Sequence, residues 1–163
     1  MSKPKASKSL RFVSDKRSRT VSLGRALASL LKAGDIVCLY GDLGTGKTVL
    51  AKGISRGLGV KECDVISPTF VLMRCHRGKM PMYHFDLYRI KGPDELPALG
   101  CEEFFFSDGV SVIEWAERLG SLEPQECLKV KLEHVSENKR KLEFEAKGAR
   151  YEELLKKLAK KLP

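Results

Sequence analysis

Short apolar runs and stretches of helical spacing alternate along the first two-thirds of the chain. Ile36-Val37-Cys38-Leu39-Tyr40 is apolar throughout, which predicts a strand buried on both faces. Val110-Ser111-Val112-Ile113 reads the same way and closes on Glu114-Trp115, while Met82 to Tyr88 alternates well enough for another strand. Leu10 to Val13 predicts a short strand, Val65-Ile66 leads into Ser67-Pro68-Thr69, and Phe70 to Arg74 reads as extended. Between these, Leu23, Leu27, Leu30 and Leu31 follow Thr20 at helical spacing and stop near Ala33-Gly34, a C-cap signal. Val49, Leu50, Ala51, Ile54 and Leu58 suit a second helix ending at Gly59. Pro93 to Leu99 predicts a short helix, and Glu102 to Phe106 another helix or a turn.

The last third changes period. Leu128 to Glu133 and Lys141 to Ala146 both alternate, separated by the polar Ser136-Glu137-Asn138-Lys139-Arg140, a β-hairpin signature. Tyr151, Leu154, Leu155, Leu158 and Leu162 then share one helical face with lysines opposite. There is no internal repeat and no interdomain linker. Strands alternating with helices, then a hairpin, predict an α/β fold with a mostly parallel central sheet and an appended antiparallel hairpin. Residues 1–9 are polar and basic and are expected to be disordered, leaving residues 10–163 as one domain.

Composition narrows the function classes. The hydrophobic share of 42% and charged share of 31% are those of a soluble globular protein. No apolar stretch nears the roughly 20 residues that cross a bilayer, and no apolar run follows the N-terminal lysines. Five scattered cysteines, odd in number and without a C-x-x-C pair, predict reduced thiols in a cytoplasmic protein. Cys75-His76 has no second pair to complete a zinc site. The net charge of +9 concentrates between Lys3 and Arg19 and between Lys147 and Lys161. It fits solvated charge that keeps a small protein soluble, or contact with nucleic acid or an acidic protein. No aromatics interleave the basic residues as in single-strand binders.

One motif carries the chemistry. Gly41-Asp42-Leu43-Gly44-Thr45-Gly46-Lys47-Thr48 meets the pattern G-x-x-x-x-G-K-[ST] between an apolar strand and a helix. Glycines let successive backbone N–H groups face one concavity, and the helix start adds unpaired N–H groups and a positive dipole end. Lys47 can reach the β- and γ-phosphates, and the Thr48 hydroxyl can bind Mg²⁺. A Mg²⁺-nucleotide site also needs an acid at a neighbouring strand end. Asp86, within His84-Phe85-Asp86-Leu87-Tyr88, and Glu114 stand at such positions. Trp115, the sole tryptophan, reads from spacing as core rather than as an adenine platform. Asn138-Lys139-Arg140-Lys141 begins like the guanine-reading N-K-x-D but ends in lysine and lies in the hairpin loop, so ATP is the expected nucleotide.

Several strings together resemble the TsaE (YjeE) family, small P-loop ATPases of bacterial tRNA threonylcarbamoyladenosine biosynthesis. They are Thr20 with Leu23-Gly24, the glycine-rich motif from Leu39 to Thr48, Ser67-Pro68-Thr69-Phe70, His84 to Arg89, and Glu114-Trp115-Ala116-Glu117-Arg118, spanning roughly Thr20 to Glu133. The resemblance implies a P-loop NTPase-type three-layer α/β/α fold, with helices on both faces of the sheet. It implies that Asp86 is a Walker B-like acid orienting the Mg²⁺ shell or attacking water, and that Glu114 is a Mg²⁺ ligand beside Thr48. Trp115 would line the adenine pocket, against the reading from spacing; Ser67-Pro68-Thr69 would form a switch-like loop near the γ-phosphate; and Thr20 would border base or ribose. The implied partners are TsaB and TsaD, with tRNA engaged indirectly. Val49 replaces a threonine found in many members, and the basic tail is outside the family pattern.

The expected activity is therefore slow Mg²⁺-dependent ATP hydrolysis, with Lys47, Asp86 and Glu114 as the catalytic set. Two other classes use the same loop. A small-molecule kinase needs an acceptor pocket and an arginine-bearing lid; no lid insertion stands between the strands, although Arg74, Arg77 and Lys79 form a basic cluster after the switch-like segment. A nucleotide-dependent binding module would have negligible turnover.

Overall fold

A computed structural model of the chain describes residues 8–61 and 73–162, so Val65-Ile66 and Ser67-Pro68-Thr69 lie outside the described residues. Seven strands form one sheet: β1 (Ser9–Ser14), β2 (Ile36–Tyr40), β3 (Met73–His76), β4 (Met82–Asp86), β5 (Val110–Glu114), β6 (Cys127–His134) and β7 (Arg140–Lys147), in the order β1-β7-β6-β2-β5-β4-β3. Among the described residues three α-helices accompany it: α1 (Arg17–Ala28), α2 (Lys47–Gly57) and α3 (Ala149–Lys161). Ser9 belongs to β1 and Lys8 pairs with Glu152 at 3.0 Å, so these two residues are part of the fold rather than of a disordered N-terminus.

The sheet is mixed rather than mostly parallel. β6, β2, β5 and β4 pair in parallel at its centre, whereas β1–β7, β7–β6 and β3–β4 are antiparallel. The hairpin is not appended either. Its first strand, β6, lies directly beside β2, with Tyr40 opposite Lys131. Alternation along β6 and β7 signals a hairpin but carries no information about which strand it will join.

Period-two alternation divides the core. Val37 and Leu39 of β2, Met82 of β4, and Val110 and Val112 of β5 face the side covered by α1, α2 and α3. Ile36, Cys38, Tyr83, Phe85 and Ile113 face the other side. That second side is covered by short 3₁₀ segments (Pro93–Glu95, Pro97–Leu99, Cys101–Glu103 and Ala116–Leu122) instead of the expected second helical layer. Pro93, Pro97 and the left-handed Gly100 interrupt any longer helix there. Beyond the 3₁₀ cover, β6 and β7 turn charges to solvent in register: Lys129 opposite Glu145, Lys131 opposite Glu143, Glu133 opposite Lys141. Part of the basic surplus is thus matched within the chain.

α1 presses on α2 closely enough that a Cβ at Gly53 would meet the Val21 carbonyl oxygen at 2.4 Å. α1 ends at Ala28, before Leu30 and Leu31, although both continue its apolar spacing. Arg150 of α3 supplies the reason. Its Nη2 donates to the Leu30 carbonyl at 2.8 Å and to Asp35 at 2.7 Å, fixing the turn that leads into β2. The Ile36 N–H donates to the Tyr151 hydroxyl at 2.9 Å, so α3 anchors the first residue of β2. Among the described residues no helix is long and apolar enough to cross a membrane.

Candidate functional site

The glycine-rich turn leaves β2 at the end where the parallel strands finish. Gly41 takes φ +141°, and a Cβ there would sit 2.5 Å from the Leu132 carbonyl oxygen of β6. Gly46, the residue before α2, is left-handed at φ 102°, and no side chain caps the helix. The first helical N–H groups therefore remain available to an anion at the loop's mouth. Thr45 ties the turn to itself, its hydroxyl donating to the Asp42 carbonyl at 2.9 Å.

Lys47 is buried and folds back over the loop, donating to the carbonyls of Gly41 and, at 2.8 Å, Asp42. Its ammonium also lies 4.1 Å from the centre of the Trp115 ring, a cation–π contact. Burial pulls the lysine below its ordinary pKa, against the upward pull of Glu117, Glu114, Asp86 and Asp42. A cation partly desolvated and held only by carbonyls and a ring face is poised for a stronger anionic partner.

The two acids meet across neighbouring strands. Asp86 and Glu114 end β4 and β5 in register, on the face that carries α2. Asp86 is buried, and one of its oxygens, Oδ1, accepts the Tyr88 N–H at 3.0 Å. Glu114 is 2% exposed. Its Oε1 accepts the Thr48 hydroxyl at 2.6 Å, and its Oε2 lies 2.6 Å from His84 Nε2. Trp115 follows in the left-handed region at φ 58°, strain that a non-glycine residue tolerates when its surroundings hold it. Here Tyr88 packs on its ring at 5.0 Å and Lys47 covers it.

A cavity of about 400 Å³ joins these groups, lined by the loop from Leu43 to Val49 together with Asp86, Tyr88, Glu114 and Trp115. A smaller one of about 190 Å³ lies against the same loop and is lined by Lys16, Arg17, Thr20, Glu137, Asn138 and Arg140, with Gly44, Gly46 and Val49 shared between the two. Thr20 is buried there and donates to Ser14 Oγ at 2.8 Å. Lys47, Thr48, Asp86, Glu114 and Trp115 are thus brought together. Thr20 lies in the other cavity from Trp115, and Thr69 is outside the described residues.

Hard oxygen donors (the Thr48 hydroxyl and two carboxylates) beside an anion-binding loop fit Mg²⁺, which takes one or two carboxylates and fills its octahedron with water and phosphate. Among the described residues no cluster of three His, Cys, Asp or Glu forms a cage made of protein alone. Sequence reasoning passed over His84, although it stands two residues before Asp86 and so on the same strand face. It also set aside Asn138 and Arg140 once the N-K-x-D pattern failed. Arg140 Nη2 donates to the Gly44 carbonyl at 3.3 Å, which ties the hairpin loop to the glycine-rich turn.

A family model described as "Threonylcarbamoyl adenosine biosynthesis protein TsaE" matches residues 14–142. The chain is 36% identical over 154 residues to the tRNA threonylcarbamoyladenosine biosynthesis protein TsaE of Bacillus subtilis, covering 94% of this chain and 96% of that one. The protein of the same name from Treponema pallidum is 35% identical, with 82% of this chain and 98% of that one covered. That from Mycobacterium tuberculosis is 44% identical, covering 72% and 74%. The crystal structure of Bacillus subtilis YdiB superposes with a TM-score of 0.81 at 31% identity, over 96% of this chain and 97% of that one.

Proposed function

Starting from the fact that the chain belongs to the TsaE family, we propose that it is a P-loop ATPase acting in tRNA threonylcarbamoyladenosine biosynthesis in the cytoplasm, hydrolysing ATP slowly until protein partners engage it. The family name places it in that pathway with other Tsa proteins, and the proposed partners are TsaB and TsaD. The observation that carries the ATPase reading is the Thr48–Glu114 contact of 2.6 Å directly after Lys47. It sets a hydroxyl and a carboxylate, the donors a Mg²⁺ ion takes, at the start of the helix whose N–H groups face the loop.

In this reading the triphosphate lies along Gly41–Thr48. Lys47 exchanges its two carbonyl partners for β- and γ-phosphate oxygens, moving from neutral acceptors to charged ones. Thr48 and Glu114, with Asp86 beside them, would hold Mg²⁺, which neutralises charge developing on the phosphates. Asp86 is placed to orient the attacking water. The base and ribose occupy the cavity beside Thr20, Asn138 and Arg140, and Trp115 stays at the phosphate end over Lys47.

Partner control follows from what the site lacks. Among the described residues no arginine lines the larger cavity, and a finger arginine is worth roughly 10³–10⁵ in rate in P-loop enzymes. Docking of a partner would supply that charge. The test is steady-state phosphate release by the purified chain, alone and with a stoichiometric TsaB–TsaD pair, at low and high salt. Slow release that the pair accelerates, less so at high salt, is expected. Fast release that the pair leaves unchanged would sink the proposal.

A further inference from the structure

We propose that His84 is a positioning residue for Glu114, donating from Nε2 to Oε2 so that Oε1 is left aimed at Thr48 and the bound cation. This rests on the nucleotide–Mg²⁺ reading above. His84 is 0% exposed in the middle of β4, and its strand neighbour is Val112 of β5. Its side chain shares the sheet face of Met82, Val110 and Val112 beneath α2, with Arg74 opposite it on β3 and the His76 ring 6.0 Å away. A residue there for packing alone would be apolar, because burying an imidazole costs free energy unless its nitrogens are partnered. Only one of them is: Nε2 lies 2.6 Å from Glu114 Oε2, and among the described residues Nδ1 is buried without a hydrogen-bond partner.

The geometry explains what that single bond achieves. A glutamate side chain ends in a soft torsion, so an unrestrained carboxylate at a strand end samples many planes. Glu114 is held at both oxygens, by His84 from β4 on one and Thr48 from α2 on the other. The carboxylate accepts, so Nε2 carries the hydrogen. When a cation displaces the Thr48 hydrogen bond, the His84 bond remains and keeps Oε1 in place. Partners of this kind behind a metal ligand raise metal affinity by about 10–100-fold.

The amide nitrogen of glutamine stands close to where imidazole Nε2 stands, whereas that of asparagine falls near Nδ1 and cannot reach Oε2. His84→Gln and His84→Asn therefore separate the donor from mere polarity. The experiment titrates Mg²⁺ into the full chain saturated with ADP, followed by calorimetry, beside ADP binding in EDTA. Wild type and His84→Gln should agree in Mg²⁺ affinity within about threefold, and His84→Asn should fall by about 10–100-fold. ADP affinity without metal should stay within about twofold for all three, since the loop does not touch His84. In a Glu114→Gln background His84→Asn should cost nothing further. Equal Mg²⁺ affinity in all three proteins, or an undiminished His84→Asn effect in the Glu114→Gln background, overturns the positioning role. If wild type binds ADP with no help from Mg²⁺, the metal reading itself fails and this inference falls with it.

Discussion

Two buried-side glutamates, Glu114 and Glu123, sit at opposite faces of the same sheet and are treated in opposite ways. Glu123, just after the 3₁₀ segment Ala116–Leu122, is saturated by donors from three strands. It accepts the Tyr40 hydroxyl of β2, Lys129 of β6 at 3.3 Å and Lys147 of β7 at 2.8 Å. Burial alone would raise its pKa, but the bonds from Lys147, Tyr40 and Lys129 outweigh it and hold the carboxyl down at about 2. Glu114 is more deeply buried yet meets only a hydroxyl and an imidazole. The Lys47 ammonium feels it electrostatically but donates to loop carbonyls instead. An acid neutralised by its own lysines is finished as a structural clamp. An acid left without a fixed cation, in a wall that water barely reaches, keeps its attraction for an incoming one.

The largest effect should come from the cation that serves the second region. Lys47→Ala removes the side-chain charge proposed to reach the phosphates, and with it the cover over the Trp115 ring. ATP affinity should fall by about 100-fold or more, the worth of two charge-assisted bonds, while the melting temperature holds. A folded variant with unchanged ATP affinity by calorimetry would remove the loop from the proposed site.

Next come the acids themselves. Glu114→Gln and Asp86→Asn keep shape while removing charge, at the exchange of one accepting oxygen for a donating amide. Turnover should drop by about 10²–10³, and thermal stability should stay level or rise, because a buried carboxylate without a cation gives way to a neutral amide. Wild-type turnover in both variants at limiting Mg²⁺ would make these acids structural and erase the contrast with Glu123.

Much of this contrast could be read from the chain, but unevenly. Continuous apolar runs located β2 and β5, and the strand–turn–helix frame located Lys47 and Thr48, because each signal is local. Glu114 and Asp86 were legible because a charge closing an apolar strand needs a partner. The Glu123 clamp was not, since it exists only when β6 lies beside β2, and pairing partners leave no mark in a local pattern. The end of α1 escaped for a similar reason: Arg150, more than a hundred residues away in the chain, holds the turn after it. His84 looked like one more member of an alternating strand. Only the register that sets it against β5 exposes its role.

A smaller effect belongs to the clamp. Glu123→Gln leaves Lys129 and Lys147 without their carboxylate and should cost about 1–3 kcal/mol, lowering the melting temperature by about 2–4 °C for each kcal/mol. ATP turnover should stay within about twofold, because the clamp lies on the sheet face away from α2. Loss of turnover in proportion to that of Glu114→Gln would show that the two acids do not divide structure from chemistry.

The smallest and sharpest effect is the pH dependence of that stability difference. Glu123 is held at about 2 in the folded chain, below the ordinary glutamate value of 4.5, so the unfolded state takes up its proton first as pH falls. Stability then drops on acidification, because the unfolded chain binds more protons than the native one. The contribution is fully present above about pH 4.5 and is lost progressively down to about pH 2. With the side chain 21% exposed, solvent screening holds it to an order of 1–2 kcal/mol rather than the full shift. Glutamine does not titrate. The melting-temperature gap between wild type and Glu123→Gln should therefore stay constant from pH 7 to about pH 5 and close between there and about pH 2. A gap for Glu123→Gln that is flat down to pH 2 would mean that the carboxyl takes up its proton alike in the folded and unfolded chain, and the clamp would then rest on hydrogen bonding that does not depend on its charge.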